Sequence, residues 1–156
     1  MLPKSYDRSR ACIVRGPVLH IVWFADERND WVGCIVLLSG PTDYLSDGST
    51  VIRLSNGDEL LGQITGAGCV LGTAIATFCG AANIAASGSH GGSLVNGDML
   101  IATAAATLAL TIAAQHAAGR EEVRGPGTFL PALIDELAML TPEIVLRTAK
   151  IEVETE

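Results

Sequence analysis

Apolar and polar positions first follow a readable order at residue 34. Residues 34–38 form an unbroken apolar run, β-branched at Ile35 and Val36, the pattern of a strand buried on both faces. Ser39-Gly40-Pro41 stops it, and 43–48 carries turn residues ending in Asp47-Gly48. Residues 50–55 set Val51 and Ile52 before Arg53 and Leu54 and predict a second strand. The Asn56-Gly57 pair behind it is a hairpin signal. Upstream, 18–24 is apolar enough for a strand. The rest of 1–33 has mixed charge, holds both tryptophans, Trp23 and Trp31, and shows no period.

After residue 66 the period becomes helical. Val70, Leu71, Ala74, Ile75 and Phe78 recur at the spacing of a helix over 67–85. Gly72 and Gly80 lower its propensity but permit close packing. Residues 87–93, with Gly88, His90, Gly91 and Gly92, read as a loop with His90 in solvent. Asn96 or Asp98 can cap a second helix that runs to Ala118 and stops at Gly119. Thr128, after the turn 124–127, can cap a third helix over 129–140 whose apolar face is Leu130, Leu133, Ile134 and Leu137. Thr141-Pro142-Glu143 starts a fourth, short helix. Residues 151–156 are an acidic tail that alternates like a strand end. The fold class is therefore α/β, with a few strands packed against Ala-rich helices. Two or three strands cannot cover so much helix, so the chain reads as part of a larger sheet.

Composition narrows the function classes. The chain has 156 residues, enough for one domain with a real core. Net charge is −7 with ten Lys plus Arg, and no basic stripe favours nucleic acid as a partner. Small anions are a different matter, since backbone N–H groups and helix ends bind them. Cys12, Cys34, Cys69 and Cys79 form no C-x-x-C pair and have no histidine cluster beside them. They read as reduced thiols of a cytoplasmic protein. The uncharged stretches 64–86 and 99–114 are rich in Ala, Gly and Thr, and read as buried core helices rather than membrane spans. The first residues lack the shape of a signal peptide.

The chemistry concentrates at Thr65-Gly66-Ala67-Gly68-Cys69, a turn running into an apolar helix. Two glycines let the backbone bend sharply and let a ligand approach it. N–H groups at the helix start then point out of the turn, and the dipole adds about half a positive charge there. Such a turn is an anion hole for a transferring phosphoryl group, and Cys69 beside it, as its thiolate, can take a proton from an attacking alcohol. The spacing alone is weak: a lone G-x-G is common, and a cysteine near a helix is usually inert packing. No lysine follows as in a Walker loop, and Leu71 stands where a dinucleotide fingerprint needs its third glycine.

Three stretches add context: S-G-P-T-D-Y-L-S-D-G (39–48), S-N-G-D-E-L-L-G-Q-I-T-G-A-G-C-V-L-G (55–72) and R-G-P-G-T-F (124–129). Together they resemble the C-terminal half of hydroxyethylthiazole kinase, including the kinase half of the fungal bifunctional thiamine-biosynthetic enzymes. The resemblance divides the chain into a non-matching segment 1–33, a kinase-like segment 34–150 and the tail 151–156. It implies part of a ribokinase-like α/β fold. It also implies a magnesium-dependent transfer of the ATP γ-phosphate to the primary alcohol of 4-methyl-5-(2-hydroxyethyl)thiazole, in a homo-oligomer that is trimeric in the family. On this likeness Thr65, Gly66, Ala67 and Gly68 match the anion hole and Cys69 the catalytic cysteine. Ser39, Gly40 and Asp43 fall on the nucleotide side, and no residue is assigned to the metal. Asp47 reads as a turn cap. The part of the family that precedes this half has no counterpart in 1–33. The alternative reading is a non-catalytic chain that binds nucleotide weakly or only joins full-length subunits.

Overall fold

The computed structural model of the chain describes residues 18–25, 31–86 and 97–155, with side chains within 34–86 and 97–155. The stretch before Val18, the loop holding His90 and the candidate cap Asn96 lie outside the described residues.

Five antiparallel strands lie side by side in sequence order, the first four as a meander: β1 (Val18–Ala25), β2 (Trp31–Ser39), β3 (Asp43–Ser46), β4 (Thr50–Leu54) and β5 (Ile151–Thr155). The chain itself supplies five strands where its pattern marks two or three. The apolar run 18–24 is a strand, and its pairing Trp23↔Cys34 crosses the boundary set at Gly33, which falls inside β2. β3 occupies a stretch read as turn. The Asp47 carboxylate accepts from the backbone N–H groups of Ser49 (2.9 Å) and Thr50 (2.8 Å) and from the Ser49 hydroxyl (3.0 Å), confining the turn to 47–49. That leaves 43–46 free to pair with both neighbours. Asn56-Gly57 makes no hairpin, because β4 pairs back with β3 and forward with β5, far along the chain.

Register places Leu37, Leu45 and Ile52 side by side on one face of the sheet. Among the described residues helices cover only that face. β2 is therefore half-sided, with Ile35 and Leu37 buried and Cys34, Val36 and Leu38 only partly so, rather than buried on both faces. On the open face Arg53 reaches Glu154 (2.9 Å) and Glu152 (3.6 Å) across to β5 and lies over the Tyr44 ring.

The helices are α1 (Ala67–Ala86), α2 (Met99–Ala118), α3 (Pro126–Met139) and α4 (Pro142–Thr148), with a short 3-10 helix at Glu59–Gln63. α2 is the core of the molecule. It packs on β3 and β4 and is flanked by α1 and α3. Ala106, Ala113, Ala114 and Ala117 are fully buried, and their small size is what lets helices and sheet approach. The buried hydroxyls of Thr103, Thr107 and Thr111 donate to the carbonyls of Met99, Thr103 and Thr107 (2.8–2.9 Å). No unpaired polar atom enters the core by them. Asp98 caps α2, its carboxylate accepting from the Ile101 N–H at 2.9 Å.

Two expectations about helices change. α1 is not a buried helix: only Leu71 and Ile75 are buried, where it leans on α2, while Val70, Phe78 and Ile84 are exposed. α2 already occupies the sheet's helix side, so α1 stacks on the helix layer and not on the sheet. Both α1 and α2 are long and apolar enough to cross a membrane by length and composition, and α2 is mostly buried within the fold. α3 begins at Pro126 and not at residue 129. Proline at the first helical position has no N–H to satisfy, and Gly125 stands before it as the cap. Thr128 then lies inside the first turn, its hydroxyl accepting from the Arg124 N–H at 2.8 Å. The buried face rotates accordingly to Phe129, Ala132 and Leu133, and Leu130 and Ile134 are exposed.

Candidate functional site

The path to the glycine turn is tightly held. Beyond β4, the Asn56 side chain is buried and ties three elements. Its amide donates to Gln115 Oε1 on α2 (3.1 Å) and to the Thr148 carbonyl (3.0 Å), and its oxygen accepts from the Lys150 N–H (2.7 Å). Asp58 then caps the 3-10 helix, accepting from the Leu60 N–H at 3.0 Å. The chain turns at Gly66, whose φ of +92° lies in the left-handed region that side chains rarely adopt. The first bond of α1 runs from the Val70 N–H to the Gly66 carbonyl at 3.0 Å. The N–H groups of Ala67, Gly68 and Cys69 thus precede the helical ladder and have no partner within it. No acidic side chain sits in this first turn to neutralise it. Thr65, Gly68 and Cys69 are exposed, and the Cys69 thiol is free. Among the described residues no hydrogen bond caps this start, and an exposed N-terminus on a helix of 20 residues can hold an anion at its backbone N–H groups.

The other expected residues lie at the neighbouring strand ends. Ser39 closes β2 and Asp43 opens β3, with Asp43 paired opposite Leu54 at the end of β4. The end of β2, the start of β3 and the end of β4 are therefore at one end of the sheet. The chain leaves that end for the glycine turn. Asp43 does not face outward. It is 4% exposed, and its carboxylate accepts from the Gly40 N–H at 3.0 Å. Burial pushes its carboxyl up to about 6, with the Gly40 bond pulling in the opposite direction. Among the described residues no hydrogen bond links Gly40 or Asp43 to the turn 65–69. Asp47 is a turn cap, exposed and held below the usual carboxylate range by its bonds to Ser49 and Thr50.

Asn56 was missed by sequence reasoning except as a hairpin signal. Its distant partners Gln115, Thr148 and Lys150 leave no local trace. The turn 124–128 borders a cleft of about 230 Å³ lined by residues that include Arg120, Gly127, Thr128 and Asp135, with Arg120 paired to Glu122 at 2.7 Å. Phe129 is fully buried in the core and offers no platform for a base. Among the described residues no three His, Cys, Asp or Glu side chains converge in a way that could hold a metal ion.

A helix-covered sheet with a glycine turn feeding a helix start is part of a ribokinase-like α/β architecture. A solved hydroxyethylthiazole kinase from Pyrococcus horikoshii OT3 superposes with a TM-score of 0.61 at 31% identity, over 77% of this chain and 41% of that one. The pattern of the hydroxyethylthiazole kinase family matches residues 19–143. The hydroxyethylthiazole kinase of Thermoanaerobacter pseudethanolicus is 36% identical over 120 residues, 77% of this chain and 40% of the relative. A probable thiamine biosynthetic bifunctional enzyme of Schizosaccharomyces pombe is 36% identical over 118 residues, 72% of this chain and 20% of the relative. The chain belongs to the hydroxyethylthiazole kinase family. It spans about two-fifths of the length of the single-function relative named here, at 40%.

Proposed function

We propose that this chain carries the phosphate-handling side of a hydroxyethylthiazole kinase, which phosphorylates the primary alcohol of 4-methyl-5-(2-hydroxyethyl)thiazole with ATP in thiamine biosynthesis, in the cytoplasm. The observation that supports this best is the turn at Gly66, with φ +92°, which presents the N–H groups of Ala67, Gly68 and Cys69 at a helix start with no acidic side chain in its first turn. Charge that develops on a transferring phosphoryl group is stabilised by such N–H groups and the helix dipole. In the reaction the alcohol oxygen forms a bond to the γ-phosphorus, the bond from that phosphorus to the β-bridging oxygen breaks, and ADP leaves. In this reading the thiolate form of Cys69 accepts the alcohol proton. Positioning and charge stabilisation carry most of the rate, as in phosphoryl transfer generally. Thr65 flanks the turn, and Ser39, Gly40 and Asp43 form the nucleotide-side segment. Asp43 is committed to Gly40 and no acidic cluster converges among the described residues, so these residues do not fit a side-chain magnesium site.

The test is direct. Purified chain with ATP, magnesium and the thiazole alcohol is expected to yield the phosphate ester, and Cys69→Ala to abolish turnover. An unchanged rate in that variant removes Cys69 from the mechanism.

A second reading is favoured by one observation, the exposed apolar side chains Val70, Phe78 and Ile84 of α1. Here the chain alone is non-catalytic, binding nucleotide weakly or joining full-length subunits of the homo-oligomer. Calorimetry with ATP and sedimentation with a full-length subunit separate the two. Ester formation by the chain alone excludes this second reading.

A further inference from the structure

We infer that Asp43 is a positioning residue of the nucleotide-side turn: it acts on the bound nucleotide through the Gly40 N–H that it holds, not by touching it. The inference rests on the nucleotide-side reading of 39–43 given above and assigns the role within it.

The connection between β2 and β3 is three residues long, Gly40, Pro41 and Thr42. Pro41 has its φ set by its ring and restricts the residue before it. Asp43 removes the remaining freedom at Gly40 by accepting its N–H at 3.0 Å. It does so from the helix-covered side of the sheet, since Asp43 and Leu45 are buried while Tyr44 between them is exposed. That location is costly for a carboxylate, because burial disfavours its charged form. The same meander shows that turn closure does not require burial. The β3–β4 turn is closed by exposed Asp47 with three hydrogen bonds. Asp43 makes one bond at a far less favourable place, and that bond fixes the backbone immediately after Ser39. What it adds over a surface cap is a fixed direction for Gly40 beside Ser39, the hydroxyl of the nucleotide-side segment. A carboxylate 4% exposed is poorly placed to reach a ligand itself.

The experiment compares ATP binding by calorimetry and Gly40 amide exchange by NMR in the native chain and four variants. Asp43→Ala removes the acceptor. Asp43→Val removes it while filling the buried space, so the loss is read in a folded chain. Asp43→Asn keeps an oxygen acceptor without the charge, and Asp47→Ala opens the other turn. The expected result is a weakening of ATP binding by about tenfold in the two acceptor-free variants, the order of one lost hydrogen bond to a charged group. Gly40 exchange should rise in parallel. Asp43→Asn should restore both, and Asp47→Ala should leave ATP binding as in the native chain. Native-like binding in a folded Asp43→Val chain overturns the inference. So does Asp43→Asn binding as weakly as the alanine variant, which would mean that the charge meets the nucleotide. If the native chain binds no ATP, the underlying functional reading fails first and the positioning role falls with it. If it binds and only the variants are silent, the inference alone fails.

Discussion

Two buried polar side chains, Asn56 and Asp43, carry the energetics of the site's surroundings in opposite ways. Asn56 satisfies three hydrogen bonds to α2 and to the joint between α4 and β5. Truncating it leaves those partners unpaired in a buried place, so Asn56→Ala should cost about 2–3 kcal/mol in urea unfolding. Asn56→Asp should cost more at neutral pH. It sets a carboxylate against the Gln115 and Thr148 oxygens that the amide now donates to, and a folded chain of native stability would contradict this account. Asp43 works the other way. Its carboxyl titrates near 6 in the folded chain, raised by burial from an ordinary value of 3.8. Between those values the folded chain holds a proton that the unfolded chain has lost, so raising the pH favours unfolding. Stability contributed at this residue is therefore expected to fall from about pH 4 to about pH 6 and then level off. Asp43→Asn should flatten that slope and raise the melting temperature at about pH 8. Melts of both chains across this range check the sign.

At the scale of elements, α1 and α2 look alike in sequence and differ in energy. Both have 20 residues of mainly Ala, Leu, Ile and Thr. α2 is buried on nearly every side, while α1 buries only Leu71 and Ile75. Leu71→Ala should therefore cost about 2–4 kcal/mol, in the range of core truncations. Ile84→Ser, at a position 76% exposed, should change stability by less than about 0.5 kcal/mol. Denaturant melts of the pair read the difference. Equal losses would mean that the outer face of α1 is covered in solution, which bears directly on the second functional reading. Local signals read the ends of these elements well where they were local: Asp98 at α2, Thr141 at α4 and Asp47 at the hairpin all bond within three residues. They misjudged α3, where Pro126 at the first helical position outweighed Thr128 as a start.

Across the whole molecule, one helix joins the parts: α2 lies between the sheet, α1 and α3, and Phe129 from α3 is sealed into the same core. Phe129→Ala should remove about 3–5 kcal/mol. In a small cooperative domain that loss should appear in the melting of the entire chain and not of α3 alone. The α/β class, four helices close to where they form, strands at β1, β2 and β4, and the glycine turn leading into α1 are all legible in the order of residues. They follow from periodicity, capping and proline or glycine placement within one element. The chain alone did not reveal that 43–46 pairs as a strand, that β5 returns beside β4, or that Asn56 joins elements up to 94 residues apart. Nor did it reveal which of two similar apolar helices is enclosed, or that Asp43 turns inward to Gly40. Each of these depends on what lies across the fold from a residue. Hydrophobic pattern specifies which side chains leave water, but the partner that receives them is chosen by packing among elements distant in sequence.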